Sequence, residues 1–158
     1  MSKPRRTLFL QAPSFDGFDG GAGSRYQARR EVKSFWYPTW LAQPAAMVEG
    51  SRVLDAPAEE MSVTDALEIA QQYELVIIHT STPSYATDSR FCDLLKARDA
   101  SICIGMVGAK TMVDPELSLL SAPSVDFVAR EEFDYTCKEI AEGADLACVD
   151  GISIRNSE

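Results

Sequence analysis

Five short apolar runs constrain this chain more than any other feature of it. They are Thr7–Ala12 (TLFLQA), Arg52–Ala56 (RVLDA), Leu75–Thr80 (LVIIHT), Ile102–Val107 (ICIGMV) and Val125–Ala129 (VDFVA). Each has the length of a strand, and several are apolar at nearly every position. A strand without polar alternation is one covered on both faces, as in a parallel sheet.

Helix-like stretches separate the runs. Ser62-Val-Thr-Asp65 has the form of a capping box with Asp in place of Glu, and Val63, Ala66, Leu67, Ile69, Ala70 and Tyr73 follow as a broad apolar stripe. Phe91, Leu94 and Leu95 mark another helix, starting near Thr87. Pro115 suits a first helical turn after Asp114, leading into Leu117, Leu119 and Leu120. Phe133, Cys137, Ile140 and Ala141 repeat at helical spacing, with Gly143 just past the end. Pro38 opens a first helix that would carry Pro44 inside it. Alternating strand and helix predicts right-handed crossovers and a doubly wound α/β domain on a five-stranded parallel sheet. The tail, Cys148–Arg155, reads as one more strand or an exit linker.

Composition narrows the function classes. The chain has 158 residues, 46% of them hydrophobic and 25% charged, which suits one globular domain. Its net charge is −9, with basic residues clustered only at 3–6 and 25–33, so nucleic acid is not an expected partner. There is no apolar run of membrane-spanning length and no signal-peptide core. The expected location is the cytoplasm, with a weak set of basic residues (Arg5, Arg6, Arg25, Arg29, Arg30, Lys33) as the argument for peripheral membrane contact. Cys92, Cys103, Cys137 and Cys148 lie too far apart for a thiolate metal motif, and His79 is the only histidine. No metal ligands and no catalytic residues are therefore assigned. His79 has two readings, as a ligand contact at a strand end or as a partly buried structural residue. The aromatic group Phe35-Trp36-Tyr37-Pro38-Thr39-Trp40 likewise reads as packing against the sheet or as a contact surface for a large apolar ligand.

Doubly wound sheets bind ligands at the carboxyl ends of their strands, where the strand order switches. The loops expected there are Pro13–Ser24, which contains Ser14, Phe15, Asp16, Gly17 and Phe18; Thr80-Ser81-Thr82-Pro83-Ser84; Gly108-Ala109-Lys110; and Arg130-Glu131-Glu132. They are rich in glycine and hydroxyl residues, which admit a bulky ligand and orient it. Familiar chemistries fail on the residues. No GxxxxGK[ST] is present, Gly21-Ala-Gly23 fails GxGxxG, and Gln11-Ala12-Pro13 stands where a receiver domain needs acids. A flavodoxin phosphate loop would not carry the acidic residues that follow Ser14. Asp16 or Glu131 as a lone base lacks a paired carboxylate.

Several segments resemble the cobalamin (vitamin B12)-binding half of cobalamin-dependent radical SAM enzymes. They are Ile104-Gly-Met-Val-Gly-Ala-Lys110, Asp114-Pro-Glu116, Ser124-Val-Asp-Phe-Val-Ala-Arg-Glu-Glu132 and Asp150-Gly-Ile-Ser-Ile-Arg155. Residues 11–26 and 34–44 are similar, more narrowly, to the hopanoid-biosynthesis-associated (HpnJ-type) group of that family. The resemblance implies a cobalamin-binding fold over residues 1–146 and an exit strand or linker over 147–158. It implies cobalamin as cofactor and partner, held by the loop residues named above. It also implies a radical SAM catalytic domain, in cis or as a separate chain, that carries the iron–sulfur cluster and S-adenosylmethionine. The parent enzyme would act on a hopanoid lipid side chain in cyclitol ether formation, and this chain alone would not be catalytic. Against the wider fold's DxHxxG, SxL and GG motifs, Phe18 stands for the histidine, Pro83 for the leucine and Ala109 for the second glycine. Phe18 cannot ligate cobalt, so no histidine lower ligand is expected from the first loop. The competing expectation is a cofactor-free, flavodoxin-like interaction or regulatory domain.

Overall fold

The structure, a computed structural model, describes residues 3–13, 15 and 37–155. The strands are β1 (Thr7–Gln11), β2 (Arg52–Asp55), β3 (Leu75–His79), β4 (Cys103–Val107), β5 (Phe127–Ala129) and β6 (Ile152–Ile154). The helices are α1 (Thr39–Ala46), α2 (Val63–Ala70), α3 (Tyr85–Arg98), α4 (Ala109–Val113), α5 (Pro115–Ser121) and α6 (Asp134–Ala141), with a 3-10 turn at Leu146–Cys148. The sheet order is β2-β1-β3-β4-β5-β6. The first five strands are parallel and β6 runs antiparallel to β5. This is the doubly wound, flavodoxin-like order, with the switch between β1 and β3.

The apolar runs become strands because both faces are covered. Leu8, Leu10, Val76, Ile78, Ile104 and Met106 pack against Leu67, Phe91 and Leu95 of α2 and α3. Phe9, Ile77, Val107 and Phe127 pack on the other face against Leu41, Cys137 and Ile140 of α1 and α6. Gly105 lies under the Phe127 ring, where an added Cβ would meet ring carbon at 2.1 Å, so the aromatic fills the space that the glycine leaves.

Local chemistry sets the element ends. Ser62 Oγ accepts from Asp65 N–H at 3.1 Å and Asp65 accepts from Ser62 N–H at 3.3 Å, so the shorter acid closes the capping box. Asp114 accepts from Leu117 N–H and Pro115 takes the first turn of α5. Gly143 (φ 98°) ends α6 in a Schellman motif, with Gly143 N–H donating to Ile140 and Ala144 N–H to Glu139.

Some expectations are corrected. The turn expected at Gly108-Ala109-Lys110 is the start of α4. Helix α3 begins at Tyr85, ahead of Thr87. Leu117 and Leu120 are exposed, and only Leu119 of that stripe is buried. The tail supplies a paired strand, β6, in the same sheet. No described helix is long and apolar enough to cross a membrane.

Candidate functional site

Because β1, β3, β4 and β5 are parallel, the chain leaves all four at one edge of the sheet. The turns beginning at Pro13, Thr80, Gly108 and Arg130 therefore share one rim, which crosses the β1/β3 switch. What each residue does there depends on which face of the sheet it meets.

On the α3 side the rim is closed by hydrogen bonds. Thr80 is fully buried and its hydroxyl donates to Asp88 at 2.7 Å. Ser81 N–H donates to Ser84 Oγ at 3.0 Å, and the two hydroxyls lie 2.9 Å apart. Burial pushes the Asp88 carboxyl up to about 7, against the opposing pull of its Thr80 and Ser84 hydrogen bonds. Phe15 packs on this side with the Arg90 guanidinium 4.1 Å above its ring. The Lys110 ammonium reaches to 5.5 Å from the centre of the Tyr85 ring. Thr80 thus braces the rim from below, whereas Thr82, Pro83 and Ala109 are exposed on it.

Gly108 joins the two sides. Its φ is 119°, and an added Cβ would stand 2.2 Å from the Thr80 carbonyl oxygen and 3.0 Å from His79 Nε2. The backbone must turn here, against both residues, and only glycine permits it.

On the α1 and α6 side the rim is different. Gln11 and His79 each follow a residue of the Leu10–Ile78 pair, so both lie on this face at the ends of β1 and β3, and Gln11 is paired in register with Asp55 of β2. His79 pairs with Val107. The Trp40 ring of α1 lies 4.9 Å from the His79 ring, tilted by 37°. His79 is therefore wedged between Trp40 and Gly108, and Tyr37, by contrast, is exposed. Gln11 is 0% exposed, yet neither its Oε1 nor its Nε2 has a hydrogen-bond partner among the described residues. The buried Trp40 Nε1 has none either. Outside Trp40 opens a cavity of about 390 Å³, lined among others by Gln43, Glu131, Glu132, Phe133 and Asp134. Asp134 is raised from its ordinary value by burial and by the neighbouring Glu132 charge.

Of the expected site residues, Thr80, Ser81, Phe15 and Lys110 face the α3 side, and Glu131 lines the cavity on the α6 side. Arg130 is exposed, with its backbone N–H bound to the Gly151 carbonyl. Ser14, Asp16, Gly17 and Phe18 lie outside the described residues, as do Phe35 and Trp36. Sequence reasoning missed Gln11, although a carboxamide ending an otherwise apolar, doubly covered strand is itself a signal. Among the described residues no group of three or more His, Cys, Asp or Glu side chains converges as a metal site.

Fold and rim together define a doubly wound α/β domain whose carboxyl-end rim crosses the switch point and carries, beside Trp40 and the turn before α6, a cavity of ligand size. No protein-family profile matches the chain. It is 26% identical over 138 residues to an uncharacterized methyltransferase of Pyrococcus horikoshii. The match covers 82% of this chain and 30% of that relative, so the chain spans less than a third of the relative's length.

Proposed function

We propose that this chain is a cobalamin-binding module of a larger radical SAM enzyme. The observation that carries the reading is the shared rim. The carboxyl ends of β1, β3 and β4 lie on one edge across the switch point, where a broad planar ligand would meet the chain segments that leave them. The residues fit the group on one further point. Cobalamin's periphery carries primary carboxamides, and the rim hides a carboxamide and an indole N–H without partners. On this reading Thr82, Pro83, Gly108 and Ala109 would border the corrin and Arg130 and Glu131 would flank it, with Ser81, Ser84 and Thr80 holding the loop from beneath. When bound, cobalamin supplies a cobalt centre able to exchange alkyl groups, which agrees in kind with the relative's name as a methyltransferase. The radical SAM domain, its iron–sulfur cluster and S-adenosylmethionine would belong to the remainder of the enzyme. The hopanoid substrate is supported by the resemblance at residues 11–26 and 34–44.

One observation favours the competing, cofactor-free reading: the hydroxyls of Thr80, Ser81 and Ser84 already bond one another or Asp88. The test separates the two. Purified chain is mixed with hydroxocobalamin and desalted, and the visible spectrum is read. Stoichiometric retention of the corrin supports the module, and a colourless protein supports the regulatory domain. In the retained complex, reduced to Co(II), electron paramagnetic resonance should show no protein imidazole coupling. His79 is held between Trp40 and Gly108, and Phe18 has no nitrogen to give.

A further inference from the structure

We infer that Gln11 and Trp40 are the polar floor of a ligand subsite on the α1 and α6 side of the rim, and that the group it takes is an uncharged primary carboxamide. The inference starts from what the fold does not need. Gln11 ends a strand that places Phe9 in the apolar cluster of this face and Thr7 with its hydroxyl bonded to the Arg5 carbonyl, and at position 11 leucine or methionine would fill the same volume. A buried amide without partners is instead a standing cost to the folded state. Among the described residues two such groups occur on this side of the rim, Gln11 and Trp40; His79, on the same face at the end of the adjacent strand, is in ring contact with the second. On the α3 side of the same rim, polar side chains at the equivalent depth are paired.

The chemistry of the unpaired atoms selects the occupant. Gln11 offers one acceptor and one donor group in a plane, and Trp40 adds a donor. A primary carboxamide presents the complementary pair in the same plane. The approach selects further. Glu131, Glu132 and Asp134 line the cavity outside Trp40, so an anion meets repulsion before it reaches the floor. Gln11 is closed from solvent, so entry requires a covering side chain to move; on this inference that is Trp40, whose ring lies against His79 and borders the cavity. The class of ligand follows from this subsite alone. Its identification with a corrin carboxamide arm rests on the reading above.

The test uses the full chain labelled with ¹⁵N, with benzamide, benzoate and benzylamine as probes of similar size and three charges. The side-chain NH₂ signals of Gln11 and the indole N–H signal of Trp40 are assigned with Gln11→Leu and Trp40→Phe. Benzamide should shift both signals saturably. Benzoate should bind about tenfold more weakly or worse, the loss of one good hydrogen-bond pair at an acidic mouth. In Gln11→Leu, whose folding is checked by its melting curve, the benzamide shift at Trp40 should fall by a similar factor. Unmoved Gln11 signals, equal shifts with benzoate, or tighter binding of benzylamine would each overturn the subsite. Retention of hydroxocobalamin by wild type and its loss in Gln11→Leu would tie the subsite to the corrin. Equal retention by both would remove that tie. A wild type that shifts with benzamide but retains no cobalamin would sink the cobalamin reading and leave the carboxamide subsite standing.

Discussion

The two sides of one rim are built on opposite principles. On the α3 side, buried polar atoms find partners within the chain: Thr80 with Asp88, Ser81 with Ser84, and Tyr85 Oη with the Ser118 carbonyl and Ser121. On the α1 and α6 side, Gln11 and the Nε1 atom of the half-buried Trp40 are enclosed with none among the described residues. A satisfied network holds a loop in one position and leaves nothing to offer a ligand. An unsatisfied one weakens the apo fold and reserves its hydrogen bonds for something that arrives. The same edge of sheet thus divides into a support and a receiver.

Gly108, where the two sides meet, should give the largest effect. Gly108→Ala places a Cβ against the Thr80 carbonyl and forces a side chain into a positive-φ backbone. Strain and overpacking together predict a loss of about 3 kcal/mol or more in chemical denaturation. A loss below about 1 kcal/mol would mean that the two sides are not rigidly joined there.

Asp88 should come next, because the closed side has a cost of its own. Its folded pKa is about 7 against an ordinary 3.8, so between those values the folded state holds a proton that the unfolded state has released. Stability from this group is complete below the lower value and falls as pH rises through the upper one, by up to about 1.4 kcal/mol per pH unit. Asp88→Asn keeps the shape and cannot ionise. The difference between wild type and variant, measured by urea unfolding from pH 4 to pH 8, should grow in favour of Asn by about 3–4 kcal/mol across that window. A flat difference would place the Asp88 carboxyl in contact with solvent and reopen the closed side as a candidate ligand surface.

The sequence disclosed the scaffold better than the division across it. Runs such as Leu75–Ile78 are apolar on both faces, so their burial and the parallel sheet follow from the pattern alone. Ser62, Pro115 and Gly143 marked element boundaries because capping chemistry is local. The shared rim was legible too, since parallel strands must end together. What was hidden is parity. Thr80 follows His79 by one residue and so turns to the opposite face, where Asp88, on the next helix, waits for it. Helix α4 was hidden because five residues are too few to show a period. In the sequence Gln11 is one polar residue within the run Thr7–Ala12, and only three-dimensional packing reveals that it is fully enclosed.

Gln11 gives the smallest and most discriminating expectation, because its sign is unusual. Most buried substitutions destabilise. Gln11→Leu replaces an unpaired carboxamide by an alkyl group of similar length on a face already lined by Phe9, Ile77 and Leu41. It removes the desolvation penalty of two polar atoms and adds apolar burial. The ligand-free protein should therefore gain about 1 kcal/mol, read as a higher urea midpoint at unchanged slope. The parallel change on the closed side, Thr80→Val, should lose about 1–2 kcal/mol, because it strips Asp88 of its donor. Opposite signs at two neighbouring positions of one rim are what a support and a receiver require. If Gln11→Leu instead destabilises, its amide is already satisfied in solution, and the receiving side is as closed as the other.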